Sequence, residues 1–146
     1  MATVNYTDLI IERLFAILEG EFKKSIKIYK EDTPDIVYNS ISFGEAISEN
    51  ITTWSPDHVK DRVHVDIILR HKWQKDANKK EYINKDLHRI KTAILGNRSN
   101  SSGVNWHNGY ITDSSEIEIE YNEDGKELFW TRILHFSCSL VYDHTE

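Results

Sequence analysis

The 146-residue chain contains one cysteine, Cys138, and fewer basic than acidic residues. A single cysteine cannot form a disulfide within the chain, and such sparse use of cysteine is typical of a reducing compartment. Eighteen lysines and arginines against 24 aspartates and glutamates give a net charge of −6. This balance argues against a surface whose main role is to grip nucleic acid, because phosphate binding requires a basic face.

Long apolar runs and catalytic motifs are also missing. No apolar stretch approaches the ~18 residues that span a bilayer, and the first residues lack the basic start of a signal peptide, so we expect no contact with a membrane. The chain has no glycine-rich phosphate loop and no GxSxG, HExxH or CxxC motif. We therefore expect no enzymatic activity, no catalytic residues, no cofactor and no metal.

The size and composition are those of one globular domain. A chain of this length buries roughly two-thirds of its unfolded surface, so one core can stabilise it without metals or disulfides. Hydrophobic residues make up 39% of the chain and charged residues 29%, which is ordinary for a folded protein. No repeat or linker divides the chain, and we expect a single domain over residues 1–146.

The first predicted helix has an apolar surface wider than one face. Residues 8–19 are expected to be helical, with the helix ending at Gly20 and an apolar stripe that Ile11 and Phe15 broaden. Such a helix lies deep in the fold, or it is shared between the core and a contact with another subunit. Ile11 and Phe15, together with Trp54 farther along the chain, are therefore the candidate subunit-interface residues.

The second predicted helix is amphipathic by its spacing. It begins with a capping box formed by Asn78 and Glu81 and ends at Gly96. One face carries apolar side chains at intervals of four, three and four residues, namely Ile83, Leu87, Ile90 and Ile94. This periodicity predicts that the stripe packs into the core.

Alternating and β-branched segments predict the strands. They cover residues 26–29, 36–43, 63–71, 116–121 and 129–142. A turn at 122–125 joins the last two in a hairpin. The elements together predict an α+β fold, in which two helices pack on an antiparallel or mixed sheet of about five strands.

Two connections are predicted to be irregular. Residues 44–62 show no period and include Gly44 and Pro56, so an extended loop or projecting arm is expected there. Residues 97–109 are rich in serine and asparagine and are expected to form a polar loop.

One strand face offers the best candidate for a metal site. His64, Asp66 and Arg70 share a face of the strand at 63–71, and a histidine and a carboxylate two residues apart can point at one ion. Arg70 is a poor neighbour for a cation, however, which favours a solvated or interfacial polar face. No spacing connects these residues to the other histidines of interest, His107, His135 and His144.

An acidic row follows the strand at 116–121. Glu116, Glu118 and Glu120 alternate with apolar residues and lie ~6–7 Å apart on one face. Like charges at this distance repel, so the face must be in contact with water. The row is either an ordinary solvated face or an acidic wall that faces a channel or a basic partner.

The order of elements resembles that of the tail terminator, or tail completion, proteins of tailed bacteriophages. The resemblance covers nearly the whole chain and lies in layout and hydrophobic rhythm. It begins with the opening apolar helix and the strand from Pro34 to Ser40, followed by an irregular stretch. It continues through the strand from Val63 to Leu69, the helix from Lys79 to Leu95 and the closing hairpin.

This resemblance implies a structural virion protein. Members of the family form hexameric rings at the head-proximal end of the tail, where they end polymerisation of the tail tube and provide a docking surface for the head. The implied partners are further copies of this chain, the tail-tube protein and a head-completion or connector protein, while DNA passes without specific binding. The implied location is the tail and neck of the virion, after assembly in the host cytoplasm.

Two other classes remain open. One is another phage neck or tail-tube connector subunit, which would also be a structural ring or tube protein. The other is a small enzyme or acidic inhibitor, for which the face of His64 and Asp66 and the acidic row are the only support. Oligomeric state distinguishes these classes.

Overall fold

The computed structural model describes residues 6–23, 25–30, 39–55, 58–72, 79–96, 107–112, 116–121 and 123–143. The elements are α1 (Tyr6–Phe22), β1 (Lys27–Tyr29), β2 (Ser40–Phe43), β3 (Ile47–Ser55), β4 (His58–Lys72), α2 (Lys79–Gly96), β5 (His107–Thr112), β6 (Glu118–Tyr121) and β7 (Glu127–Asp143).

Two long strands form the centre of the sheet. β4 and β7 pair antiparallel along the whole of β4, from His58 opposite Asp143 to Lys72 opposite Phe129. The main path of the sheet is β1-β2-β4-β7-β5, with β3 paired to β4 and β6 paired to β7. Only the pairing of β1 with β2 is parallel, so the described sheet is mixed. The predicted α+β fold with two helices and a mixed sheet is confirmed, and β3 and β5 add to the five predicted strands.

The two central strands have different neighbours along their length. β3 pairs with residues 58–64 of β4, while β5 pairs with residues 135–139 of β7. Farther along, β2 pairs with residues 67–70 of β4, and β6 pairs with residues 127–131 of β7. One half of the sheet therefore has the order β3-β4-β7-β5, and the other, which we call the β1/β6 half, has the order β1-β2-β4-β7-β6.

Both helices pack on one face of this sheet. Their buried stripes are Ile10, Leu14, Leu18 and Phe22 on α1 and Ile83, Leu87, Ile90 and Ile94 on α2. The sheet contributes alternate residues of the central strands, chiefly Val63, Val65, Ile67 and Leu69 of β4 and Leu134, Phe136 and Cys138 of β7. The predicted α2 stripe is confirmed. Neither described helix is long and apolar enough to cross a lipid bilayer.

Helix α1 continues past Gly20, where its end was predicted. Phe22 is buried in the core and therefore keeps the last turn helical. The following residue, Lys23, has a φ of 47°, and its amide donates a 2.9 Å hydrogen bond to the carbonyl of Glu19. A lysine thus adopts the left-handed conformation that usually falls to glycine at the end of a helix.

The prediction of an irregular loop or arm at 44–62 is wrong for most of that segment. Residues 47–55 form β3, and β4 begins at His58. The register of β3 against β4 shifts between Asn50 and Thr52 and again between Thr53 and Ser55. Each shift interrupts the regular pairing of the two strands, in keeping with the lack of a period of two in the sequence. The predicted polar loop at 97–109 is likewise too long, because β5 begins at His107.

Replacement of Ile90 by alanine is expected to lower the free energy of unfolding by ~2–5 kcal/mol, because a fully buried side chain is lost and a cavity remains. Urea denaturation measures the change. Thr92→Ala, two residues along the same helix and exposed, is the matched control and should change stability by less than ~0.5 kcal/mol. An equally small effect for Ile90→Ala would show that α2 does not pack as described.

Candidate functional site

The face of the sheet opposite the two helices, which we call the outer face, carries polar pairs between β4 and β7. In the register of these strands His64 is opposite Ser137 and Asp66 is opposite His135. His64 Nδ1 lies 2.8 Å from Ser137 Oγ, and His135 Nδ1 lies 2.7 Å from Asp66 Oδ1. The outer face therefore has two cross-strand contacts side by side.

Arginine side chains extend this network to the flanking strands. Arg62 of β4 donates a hydrogen bond to the hydroxyl of Tyr110 on β5, and its guanidinium lies 4.8 Å from the centre of the Tyr110 ring. Arg70 donates a 3.1 Å hydrogen bond from Nη1 to Ser42 Oγ on β2. Since β7 lies between β4 and β5, Arg62 and Tyr110 extend over its small side chains, and Ser137 and Ser139 are buried there.

The predicted trio of His64, Asp66 and Arg70 does lie on one face, but its members have separate partners. Arg70 is directed to β2, while His64 and Asp66 contact different residues of β7. Among the described residues, no group of three or more histidine, cysteine, aspartate or glutamate side chains could hold a metal ion. His135, which no spacing connected to this face, is the partner of Asp66. Only the register of β4 against β7 reveals that contact.

The chemistry of these pairs is incomplete for nucleophilic catalysis. A hydroxyl nucleophile needs a histidine base that is itself oriented by a carboxylate. Here Ser137 contacts His64, whereas Asp66 orients a different histidine, His135. The hydroxyl, the base and the carboxylate therefore do not form one chain of hydrogen bonds. The arrangement is better suited to holding β4 and β7 together than to activating Ser137.

A second histidine–carboxylate contact lies on the helix side of the sheet. His71 of β4 is fully buried, and its Nε2 lies 2.8 Å from Asp86 Oδ2 on α2. Arg89, on the same helix, lies 3.8 Å from Asp86, 3.2 Å from the carboxylate of Glu21 and 4.3 Å from the centre of the Phe22 ring. These contacts connect β4, α2 and the end of α1, which indicates a structural role for His71.

The acidic row is exposed. Glu118 and Glu120 project from the outer face of β6, because Ile119 between them is opposite Trp130 on the core side. Glu116 precedes the strand and is also exposed. The alternation predicted in the sequence is therefore present, and the role of the row in a lumen or at a partner stays a prediction.

Two of the three candidate interface residues make contacts within the chain. Ile11 and Phe15 are half-buried against the core, and the Nζ of Lys30 lies 5.1 Å from the centre of the Phe15 ring. Trp54 belongs to β3, and its side chain is outside the described part of the structure. Among the side chains that the structure describes, the most exposed large apolar ones are Ile47, Tyr121, Leu95 and Tyr110, none of which was a candidate interface residue.

A shallow groove lies on the surface of the two helices. It is lined by Ala16, Ile17, Gly20, Glu21 and Ala93. Among the described residues of this lining Glu21 alone is charged, and its carboxylate already contacts Arg89.

A comparison with known protein families and with curated proteins returned no match for this chain. Functional inference therefore depends on the geometry described above. The features that distinguish this geometry are the paired outer face, the exposed acidic row and the edges of the sheet.

The thiol of Cys138 is expected to be unreactive in the folded protein. Burial raises its pKa to about 12, and the opposing effect of the nearby Arg62 charge is smaller. At pH 8 a chromogenic thiol reagent should therefore label the protein only after denaturant is added. The same shift predicts that stability falls as pH rises from about 9 towards 12, because the unfolded thiol ionises first. Rapid labelling of the native protein would contradict this burial.

Proposed function

We propose that this chain is a structural subunit of a bacteriophage tail, a tail terminator that forms a ring at the head-proximal end. The ring ends polymerisation of the tail tube and provides the surface on which the head docks. Six subunits are the number that the resemblance implies. The support is the resemblance in the order of elements, in which β3 occupies most of the stretch expected to be irregular, together with an α+β fold in which both helices pack on one face of the sheet.

The observation that carries this proposal is that both sides of the sheet end in strands with one neighbour. Among the described strands, β1 pairs only with β2 and β3 only with β4, while β5 and β6 each pair only with β7. Such edges present backbone groups that can pair with another chain. Because the two sides differ from each other, a contact between them is heterologous, and heterologous contacts give rings when the rotation closes.

Exposed apolar side chains lie on both of these sides. Ile47, which is 61% exposed, begins β3 on one side of the sheet, and Tyr121, which is 57% exposed, ends β6 on the other. Single exposed apolar residues are common on monomers. Their positions on opposite sides fit a head-to-tail contact better than a two-fold one.

The proposed partners follow from this location. In the virion the ring would contact the tail-tube protein on one side and a head-completion or connector protein on the other. DNA would pass through the ring without specific binding, in keeping with a net charge of −6. Another neck or tail-tube connector subunit would use the same sheet edges, and it is the nearest alternative.

Light scattering and negative-stain microscopy of the purified protein test the ring. We expect one closed particle of uniform subunit number with a central opening. Assembly should weaken as salt is added if charged edge residues contribute. A chain that stays monomeric at all concentrations, with and without tail-tube protein, would overturn the proposal.

The second candidate, a small enzyme or acidic inhibitor, is favoured only by the outer-face pairs of His64 and Asp66 and by the acidic row. We expect the purified protein not to hydrolyse DNA, nucleotides or peptides. An activity that His64→Ala or Asp66→Ala abolishes, and that the exposed control Glu123→Ala retains, would contradict the structural role.

A further inference from the structure

A basic edge borders one end of the β1/β6 half of the sheet. Lys27 of β1 is exposed, as are Lys23 before the strand and Lys30 after it, and Lys30 Nζ lies 3.8 Å from the carboxylate of Glu12. Lys27 is opposite Ser40 in the register with β2, which places it on the outer face. Ile28, opposite Ile41, lies on the helix side and packs against the core.

An acidic edge borders the other end of the same half. β6 has Glu118 and Glu120 on the outer face and Ile119 on the helix side. Within the described part of the chain, neither Glu118 nor Glu120 forms an ion pair, and both are exposed. Each of the two short edge strands thus has charged side chains on the outer face and an apolar side chain on the helix side, and the charges of the two strands are opposite.

The direction of the two edge strands is also compatible. β1 runs parallel to β2, and three antiparallel pairings then lead through β4 and β7 to β6. β6 is therefore antiparallel to β1. When a second copy is related to the first by rotation about an axis parallel to the strands, its strands run in the same direction, and the outer face of its sheet stays on the same side of the assembly. The β6 edge of one copy would meet the β1 edge of the next in antiparallel orientation.

We propose that β1 of one copy pairs with β6 of a second copy, so that the sheet continues from subunit to subunit. This contact specifies the ring interface and so rests on the proposed function. Main-chain hydrogen bonds between the strands would supply binding. Lys27 would lie beside Glu118 and Glu120 of the neighbour on the outer face, with Ile28 beside Ile119 on the helix side.

Charge also disfavours the symmetric alternatives. If two β6 edges met, their glutamates would face each other, and two β1 edges would bring lysines together. Like charges directly opposite each other in a sheet are destabilising. Charge repulsion therefore disfavours two-fold pairing of identical edges and leaves head-to-tail pairing as the favoured contact. Specificity here comes from unfavourable contacts in the wrong complex.

Charge reversal at each edge tests this contact. The variants are Lys27→Glu for the basic edge and Glu118→Lys with Glu120→Lys for the acidic edge. The matched controls, Lys85→Glu and Glu45→Lys with Glu81→Lys, make the same charge changes at exposed positions outside both edges. By light scattering we expect each edge variant to associate at least tenfold more weakly than its control, with unchanged thermal unfolding of the monomer.

Mixing the two edge variants gives the sharper result. Each variant alone has like charges at position 27 and at positions 118 and 120, but the mixture offers opposite charges at these positions in every contact between unlike subunits. We expect equal amounts to restore assembly with the variants alternating around the ring, which closes only for an even number of subunits. A single chain carrying all three reversals should assemble as the wild type does.

Cross-linking tests the strand contact itself. Lys27→Cys with Glu118→Cys places thiols at opposite ends of one half of the sheet, so oxidation should give a ladder of linked chains on a non-reducing gel. Cys138 is buried and should add little background. Lys85→Cys with Glu118→Cys is the control and should give no ladder.

The outcomes separate this contact from the ring function. Edge variants that assemble like their controls, or that fail to restore assembly when mixed, would overturn the contact and leave the ring proposal intact. Restored assembly as open chains would support the contact and overturn the ring. If the acidic-edge variant forms intact rings that retain DNA at low salt, these glutamates line the lumen and the contact is wrong. A wild-type chain that never assembles overturns both.

Discussion

The pairing of β4 with β7 is the interaction on which the other features of the molecule depend. The two strands are joined along the whole of β4, and every other described strand except β1 is hydrogen-bonded directly to one of them. Side chains alternate along a strand, so this one register decides which residues meet the helices and which meet solvent. A slip by one residue would move Val65 and Ile67 out of the core and would separate Asp66 from His135.

The parts of the fold that could be predicted are those with a local signal. The α2 stripe is visible in the spacing of Ile83, Leu87, Ile90 and Ile94, and the two faces of β4 are visible in its alternation. β3 could not be predicted because its register shifts remove the period of two, and because pairing with β4 stabilises a polar segment that shows little preference of its own. The end of α1 depends on the burial of Phe22, which is a tertiary effect.

The candidate site also has parts that could be predicted from the sequence and parts that could not. Alternation alone places His64 and Asp66 on one face and turns Glu118 away from the core, so these features could be read from the sequence. The contact of Asp66 with His135 joins residues 69 positions apart, and no local pattern encodes that distance. The opposite charges of β1 and β6 could not be related to each other from the sequence. Only the strand order shows that these two strands lie at the two ends of one half of the sheet.

The edge strands of that half are short, with three residues in β1 and four in β6. A contact between two such strands includes few backbone hydrogen bonds, so one contact alone would break often. A subunit in an open chain is held at its end by one contact, whereas every subunit in a closed ring is held by two. The second contact forms at high effective concentration because the first already holds the subunit in place. In the ring that we propose, short edges would therefore make small assemblies transient and the closed ring persistent, so that assembly would be concerted without any single strong contact.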